Sequence, residues 1–170
     1  MMGKHRKCSQ LIFTLIILSG ILTGCKTSQH MINSDNVKVH AFRLKPGQDL
    51  RIAIETYVKE NNITAGWIST CAGSLTNYNI RFANQETGTI GNGHFEIVSL
   101  TGTLSVNGSH IHISISDSTG AATGGHLLKG CTIYTTAEIV ILSTTALNFS
   151  RAKDGTTPWE ELHIEKAGNK

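Results

Sequence analysis

Three histidines, His110, His112 and His126, are the residues whose type and spacing could perform chemistry. On a β-strand, His110 and His112 project from one face roughly 6.5 to 7 Å apart. One metal ion with bonds of about 2 Å can bridge that separation when the rings lean together. His126 follows Gly124 and Gly125, which predict a Gly-Gly turn before it. Three neutral imidazoles with an open fourth position are typical of a reactive zinc site.

The alternative interpretation makes these histidines partly exposed polar residues on a face rich in serine and threonine. Asp117 and Glu138 are further candidates, as extra metal ligands or as a general base in catalysis. Each is equally well a turn residue or a surface charge. Arg81 could also face the site, but an ordinary strand cation is the simpler interpretation of it.

A hairpin is the element that must position His110 and His112. Asn107-Gly108 is a strong two-residue turn signal between candidate strands at 95–106 and 109–116. That turn places Ser105 opposite His110 and Thr103 opposite His112. Side chains alternate across a sheet, so one face is predicted to be core and the other polar. The core face carries Leu100, Leu104, Val106, Ile111, Ile113 and Ile115, and the polar face carries Thr101, Thr103, Ser105, His110, His112, Ser114 and Ser116.

The other elements predict a single α+β domain. Residues 37–44 alternate like a half-buried strand, and Asp49 is a candidate N-cap for a helix that Asn61-Asn62 ends. Further strands are predicted over 64–71, 77–83, 132–142 and 161–165. We therefore expect a largely antiparallel sheet of about seven strands with one main helix packed on it.

The N-terminal segment has the pattern of an export signal. Three basic residues precede an apolar run over 11–22, and the run ends in Leu22-Thr23-Gly24-Cys25. This ending resembles the lipobox of bacterial lipoproteins, in which the cysteine is lipidated and becomes the first mature residue. The prediction is a signal peptide over 1–24, a polar tether over 25–36, a domain over 37–166 and a tail over 167–170. An ordinary signal peptide or a membrane anchor that happens to contain Cys25 is the alternative.

Charge argues against nucleic acid as a partner. The chain has 15 Lys and Arg against 12 Asp and Glu, but Lys4, Arg6 and Lys7 lie in the predicted signal, which leaves 12 of each sign. The remaining bases are scattered, whereas nucleic-acid binding proteins concentrate them. Cys71 and Cys131 could form a disulfide in an exported protein, but two buried thiols are the favoured interpretation.

Several ordered motifs resemble one known family. They are Gly93-His94-Phe95-Glu96-Ile97-Val98-Ser99-Leu100-Thr101-Gly102, then His110-Ile111-His112 with Asp117, then Gly124-Gly125-His126-Leu127-Leu128-Lys129-Gly130-Cys131, then Thr135-Thr136-Ala137-Glu138-Ile139. This set is similar to the PPC (plants and prokaryotes conserved) domain family and covers essentially residues 37–166. The resemblance implies a helix packed on a largely antiparallel sheet, a homotrimer, and zinc on His110, His112 and His126.

The resemblance brings no established reaction with it. Bacterial relatives are often labelled DNA-binding, but this chain has no AT-hook, and a lipobox is a departure from relatives that look cytoplasmic. We therefore expect a trimeric binding module in the cell envelope, tethered to the membrane through lipid on Cys25, with a zinc site and an unknown protein or small-molecule partner. A metal-dependent hydrolase or lyase is the first alternative, and a DNA-binding protein is the second.

Overall fold

The computed structural model describes residues 33–168, which begin with a 3-10 turn at Ser34–Asn36 and strand β1 at Val37–Leu44. The predicted signal peptide and Cys25 lie outside the described residues. After β1 the chain reverses at Gly47, whose φ of 85° lies in the left-handed region that glycine adopts without strain. No helix among residues 33–168 has the length and apolar character that a membrane span requires.

Helix α1 (Leu50–Glu60) forms where its cap and its apolar spacing predict it. The Asp49 carboxylate accepts a hydrogen bond from the Ile52 amide at 2.9 Å, which satisfies one of the free N–H groups of the first turn. Leu50, Ile54 and Val58 form one buried stripe on the helix. The helix ends before Asn62, whose φ of 47° is incompatible with a further helical turn.

Seven more strands follow the helix in the described part of the chain. They are β2 (Gly66–Arg81), β3 (Thr89–Leu104), β4 (His110–Ser116), β5 (Ala122–Leu127), β6 (Thr132–Thr144), β7 (Leu147–Ala152) and β8 (Glu161–Lys166). Six strands form one antiparallel sheet in the order β1-β6-β2-β3-β4-β5, and β7 and β8 form a separate hairpin. Within residues 33–168 the predicted largely antiparallel α+β fold with one main helix is confirmed, but the sheet has six strands, with a two-stranded hairpin beside it, where one sheet of about seven was expected.

The sheet closes on itself, because β5 pairs with β2 as well as with β4. Ile80 lies opposite Leu127 and Arg81 lies opposite His126. A ring is therefore formed by β2, β3, β4 and β5. Strand β6 pairs with β2 on the edge opposite β3, and β1 pairs with β6. The inner face of the ring and helix α1 enclose one hydrophobic core, in which Ile80, Ile111, Ile115 and Leu127 are at most 1% exposed.

The prediction of two separate strands over 64–71 and 77–83 was wrong. One strand, β2, runs through Gly73-Ser74 and takes up its irregularity in register shifts against β6 and β3. Gly73 lies in this strand because a Cβ there would come within 2.3 Å of the Thr136 carbonyl oxygen. The glycine thus permits a close approach of two backbones, where a turn was expected.

The predicted hairpin exists, but its register differs by two residues. Thr103 lies opposite His110 and Thr101 lies opposite His112, because the connection is longer than Asn107-Gly108 alone. A shift of two preserves which face each strand residue occupies. Two residues of the connection differ from the prediction. Val106 was expected in the core and is 40% exposed, whereas Ser105 was expected on the polar face and is buried. The Ser105 hydroxyl donates to the Phe149 carbonyl at 2.8 Å.

Both cysteines of the described domain are buried and free, as the favoured interpretation predicted. Burial raises the pKa of the Cys71 thiol to about 12 and that of Cys131 to about 11. Both are therefore protonated and unreactive at neutral pH, and they behave as small apolar side chains.

Candidate metal centre

The register of β4 and β5 brings the three histidines together. His112 lies directly opposite His126 across the two strands, and His110 lies two residues before His112 on the same face. The neighbouring residues Ile111 and Leu127 point the other way, into the core. Alternation on two paired strands thus gives one apolar inner face and one imidazole-bearing outer face.

The imidazole nitrogens converge on one point. His110 Nε2 lies 3.1 Å from His112 Nε2 and 3.0 Å from His126 Nδ1, and one ligand atom from each ring lies within 4.8 Å of the others. Two nitrogens on a tetrahedral zinc, each about 2.0–2.1 Å from it, are roughly 3.3 Å apart. The observed separations therefore suit three ligands of one small divalent cation.

The state of the rings also suits a cation. Burial first, and then His112 and Arg151, lower the pKa of His110. Burial and the nearby Arg81 lower the pKa of His126 to about 4. A lowered pKa keeps these imidazoles neutral at neutral pH, and a neutral ring nitrogen carries the lone pair that a metal needs. His110 and His112 are exposed, so the outer side of the cluster is open to solvent.

The two glycines before His126 do not form the predicted turn. Gly124 and Gly125 lie within β5, where a Cβ on Gly124 would come within 2.6 Å of the Ile113 carbonyl oxygen. A Cβ on Gly125 would come within 2.5 Å of the Arg81 carbonyl oxygen. The absent side chains let β5 fit tightly between β4 and β2, and that fit sets the position of His126.

The other predicted candidates lie elsewhere. The Asp117 carboxylate accepts hydrogen bonds from the Thr119 amide and hydroxyl at 2.8 and 2.6 Å and from the Ala121 amide, in the turn between β4 and β5. Glu138 is an exposed residue of β6, opposite Arg43 on one side and Ala72 on the other. Neither belongs to the histidine cluster. Cys25 lies outside the described residues.

Two arginines flank the cluster. Arg81, which was expected to be an ordinary strand cation, lies directly opposite His126. Arg151 donates from Nη2 to the Thr103 hydroxyl at 2.7 Å, and Thr103 lies directly opposite His110. Sequence analysis missed Arg151, because β7 itself was not predicted. The alternation of Leu147 and Phe149 was the available signal for that strand, and no motif marked the arginine.

Comparisons with known proteins identify the class to which this fold and cluster belong. The model of the Plants and Prokaryotes Conserved (PCC) domain matches residues 31–145. The chain belongs to this family, as the resemblance to the PPC domain implied. The bifunctional protein GlmU of Synechococcus sp. (strain JA-3-3Ab) is 40% identical over 131 residues, which are 77% of this chain and 21% of the relative. The chain thus spans about a fifth of the length of the curated relatives it matches.

Solved structures share the fold. A hypothetical protein from Salmonella cholerae-suis is 42% identical, with a TM-score of 0.75 over 76% of this chain and 94% of that one. A protein from Archaeoglobus fulgidus that is described as metal-containing is 27% identical, with a TM-score of 0.63 over 73% of this chain and 91% of that one. The two matches thus cover nearly all of each solved chain and about three quarters of this one.

Proposed function

We propose that this protein is a trimeric binding module that holds zinc on His110, His112 and His126, tethered to the cell envelope through lipid on Cys25. The observation that carries the proposal is the convergence of the three imidazole nitrogens at 3.0–3.1 Å. Nitrogens so close are poorly satisfied by hydrogen bonds to one another, because His110 Nε2 has one proton or one lone pair and faces two other nitrogens. A shared cation satisfies them all.

The donor set favours zinc over the hard cations. Imidazole is a common ligand of zinc, whereas calcium and magnesium prefer oxygen. Three protein ligands leave a fourth position, and the exposed side of the cluster gives access to it. Support also comes from the metal-containing relative of Archaeoglobus fulgidus. The fourth position is where a partner or small molecule would bind.

Self-association is supported by apolar side chains on the outside of the sheet. Ile90 and Val98 of β3 are 69% and 60% exposed, and Tyr134 of β6 is 42% exposed and packs against the His94 ring at 4.2 Å. These side chains are available for contact with another protomer. The trimer itself comes from the resemblance to the family, and light scattering of the purified chain tests it.

A metal-dependent hydrolase is the alternative that the open fourth position favours, because a zinc-bound water has a lowered pKa and is a nucleophile. Such an enzyme needs a general base, and Asp117 and Glu138 both lie away from the cluster. The binding module therefore accounts better for the arrangement. A DNA-binding role would need a concentrated basic surface, and the balanced charge outside the predicted signal argues against one.

The metal content of the purified chain tests the proposal. We expect about one zinc per chain by elemental analysis, and loss of zinc in His110→Ala/His112→Ala. His163→Ala, in the separate β7–β8 hairpin, is the matched control and should keep the metal. Wild-type protein that binds no zinc when zinc is supplied would contradict the metal site. Cytosolic protein with an intact N-terminus would contradict the lipid tether.

A further inference from the structure

The β7–β8 hairpin lies beyond the part of the chain that the family model matches, yet it is anchored next to the histidine cluster. The Phe149 amide donates to the Thr64 carbonyl at 2.8 Å, and the Phe149 carbonyl accepts from Ser105 Oγ at 2.8 Å. Leu147 and Phe149 are both 8% exposed and pack against Ala65. The hairpin is therefore fixed to the connection between β3 and β4, immediately before His110.

One end of the hairpin supplies a guanidinium to the site. Arg151 reaches Thr103, the cross-strand neighbour of His110, and residues directly opposite each other in a sheet share a face. Arg151 Nε is buried and has no hydrogen-bond partner within the described residues. A buried N–H without a partner costs free energy, which an acceptor from a bound ligand would recover.

The connection between β7 and β8 reaches the other side of the cluster. Trp159 lies in that connection, and its ring lies under Arg81 with the guanidinium carbon 5.7 Å from the ring centroid. Arg81 is the cross-strand neighbour of His126. The segment from Arg151 to Trp159 thus runs from the His110 side of the cluster to the His126 side. One end carries the Arg151 guanidinium, and the other end stacks against the Arg81 guanidinium.

The charges at this place sum to a positive field. Arg81 and Arg151 both act on His110, and Glu161 is the one acidic group among the charges that do so in the described residues. Arg51, which donates to the Leu127 carbonyl near His126, is paired with Glu55 at 2.7 Å and adds little to this field. Three neutral imidazoles leave the full charge of a divalent cation uncompensated. An anion is the ligand that such a field attracts.

We propose that the β7–β8 hairpin completes an oxyanion site over the three histidines, in which a carboxylate or phosphate group of a small molecule binds the metal between Arg81 and Arg151. This inference rests on the metal site proposed above, and it names the class of ligand for the fourth position. Guanidinium groups fit both oxyanions because their parallel N–H groups match two oxygens. Trp159 holds the Arg81 side of the site by stacking.

Cobalt in place of zinc tests the proposal, because the visible absorption of cobalt(II) changes when a ligand enters its coordination shell. Purified full-length chain loaded with cobalt is titrated with inorganic phosphate in one series and with acetate in another. We expect a saturable spectral change with at least one anion. Comparison of the two series tells whether phosphate or carboxylate is preferred.

Arg81→Gln and Arg151→Gln should each weaken anion binding about tenfold, since each removes one charged hydrogen-bonding partner. Both variants should keep the cobalt content of the wild type. Arg43→Gln is the matched control, because Arg43 lies on β1 and donates to Thr136. If Arg151→Gln does not fold, Arg151→Lys replaces it in the test. Lysine keeps the positive charge but lacks the two parallel N–H groups of a guanidinium, so this variant should still bind the anion more weakly than the wild type.

The two proposals can fail separately. Cobalt bound at the histidines with no anion effect, or with equal anion affinity in the wild type and both arginine variants, overturns the oxyanion site and leaves the metal site standing. If no metal binds, calorimetric titration of the metal-free chain with phosphate decides the matter. Phosphate binding that depends on Arg81 and Arg151 retains an anion site at the two arginines and overturns the bond from the anion to the metal, and no binding overturns both.

Discussion

Two histidine environments in this molecule can be compared directly. His40 on β1 has a hydroxyl at each ring nitrogen: Tyr57 lies 3.3 Å from Nδ1 and Ser143 lies 2.8 Å from Nε2. At the cluster on β4 and β5, His110 Nε2 faces only the nitrogens of two other imidazoles. His40 is therefore satisfied by the protein, whereas His110 Nε2 has no hydroxyl partner within the described residues.

The comparison separates a histidine that the protein itself satisfies from the histidines that we propose to bind a metal. A hydroxyl can donate or accept, so His40 is satisfied in either neutral tautomer. His110 Nε2 carries either one proton or one lone pair, so it cannot satisfy both of the imidazole nitrogens that face it at 3.0–3.1 Å. The partners of the nitrogens thus distinguish the two roles, although burial lowers the pKa of His40 as it lowers that of His110.

The largest expected effect is on metal affinity. Removal of one imidazole in His126→Ala should weaken zinc binding by more than about 100-fold, since even outer-shell changes around a zinc site cost about 10–100-fold. His40→Ala should leave the zinc affinity unchanged. Competition with a chromogenic chelator measures both. Equal zinc affinity in His126→Ala and the wild type would remove the distinction between the two environments.

Closure of the ring of strands by β5 should affect zinc binding at the cluster and should leave the hydrogen bonds of His40 unchanged. Gly125→Ala places a Cβ within 2.5 Å of the Arg81 carbonyl oxygen, and a backbone atom cannot move aside cheaply. We expect a loss of about 1–3 kcal/mol in the free energy of unfolding, together with weaker zinc binding, because β5 must shift. Gly168→Ala meets nothing within 4 Å and is the control. Urea denaturation measures the loss, and an unchanged midpoint would contradict it.

Loss of the His40 ring should reduce stability more than loss of a cluster histidine. In His40→Ala the buried Ser143 hydroxyl loses its partner, which costs about 1–3 kcal/mol. In metal-free protein, His110→Ala removes an exposed ring and should change the free energy of unfolding by no more than about 0.5 kcal/mol. Denaturation of both variants without zinc measures which loss is larger. A larger loss of stability in His110→Ala would contradict the proposed difference between the two histidine environments.

The smallest effect is on pH dependence. Burial, and then Lys38, lower the pKa of His40 below 6.5, so the unfolded chain takes up this proton at a higher pH than the folded one. The resulting stability is present above pH 6.5 and is lost as the pH falls through 6.5 towards the folded pKa. His40→Gln should lose less stability over that range than the wild type, and Lys38→Gln should be intermediate. Thermal melts of zinc-loaded protein across this range measure the difference.

Local signals predicted the elements that depend on local physics. Asp49 and the apolar spacing after it defined α1, because a cap and a stripe are properties of neighbouring residues. The prediction that His110 and His112 lie on the outer face was correct for the same reason, since side-chain alternation is a property of a single strand. The third histidine was predicted to join them, and it does.

Long-range contacts explain what the sequence alone did not predict. The β3–β4 register differs by two residues from the prediction because the connection is longer, and that connection includes Ser105, which donates to Phe149 of a strand far along the chain. Gly125 indicated a turn by type, but its reason is the carbonyl of Arg81, which only the closed ring brings near. Arg151 was missed because its place beside Thr103 depends on how the β7–β8 hairpin docks.

His126 of the cluster and Leu127 of the core are adjacent on β5, so the number of residues in β4 and β5 must suit both the core and the cluster. One inserted residue within β4 or β5 would turn an imidazole inward and a leucine or isoleucine outward. Evolution can therefore change the composition of these strands more freely than their residue count. Insertions and deletions are best tolerated in the turn at 117–121, outside both strands. For a search among distant homologues, the spacing of the histidines is then a more durable mark than the residues between them.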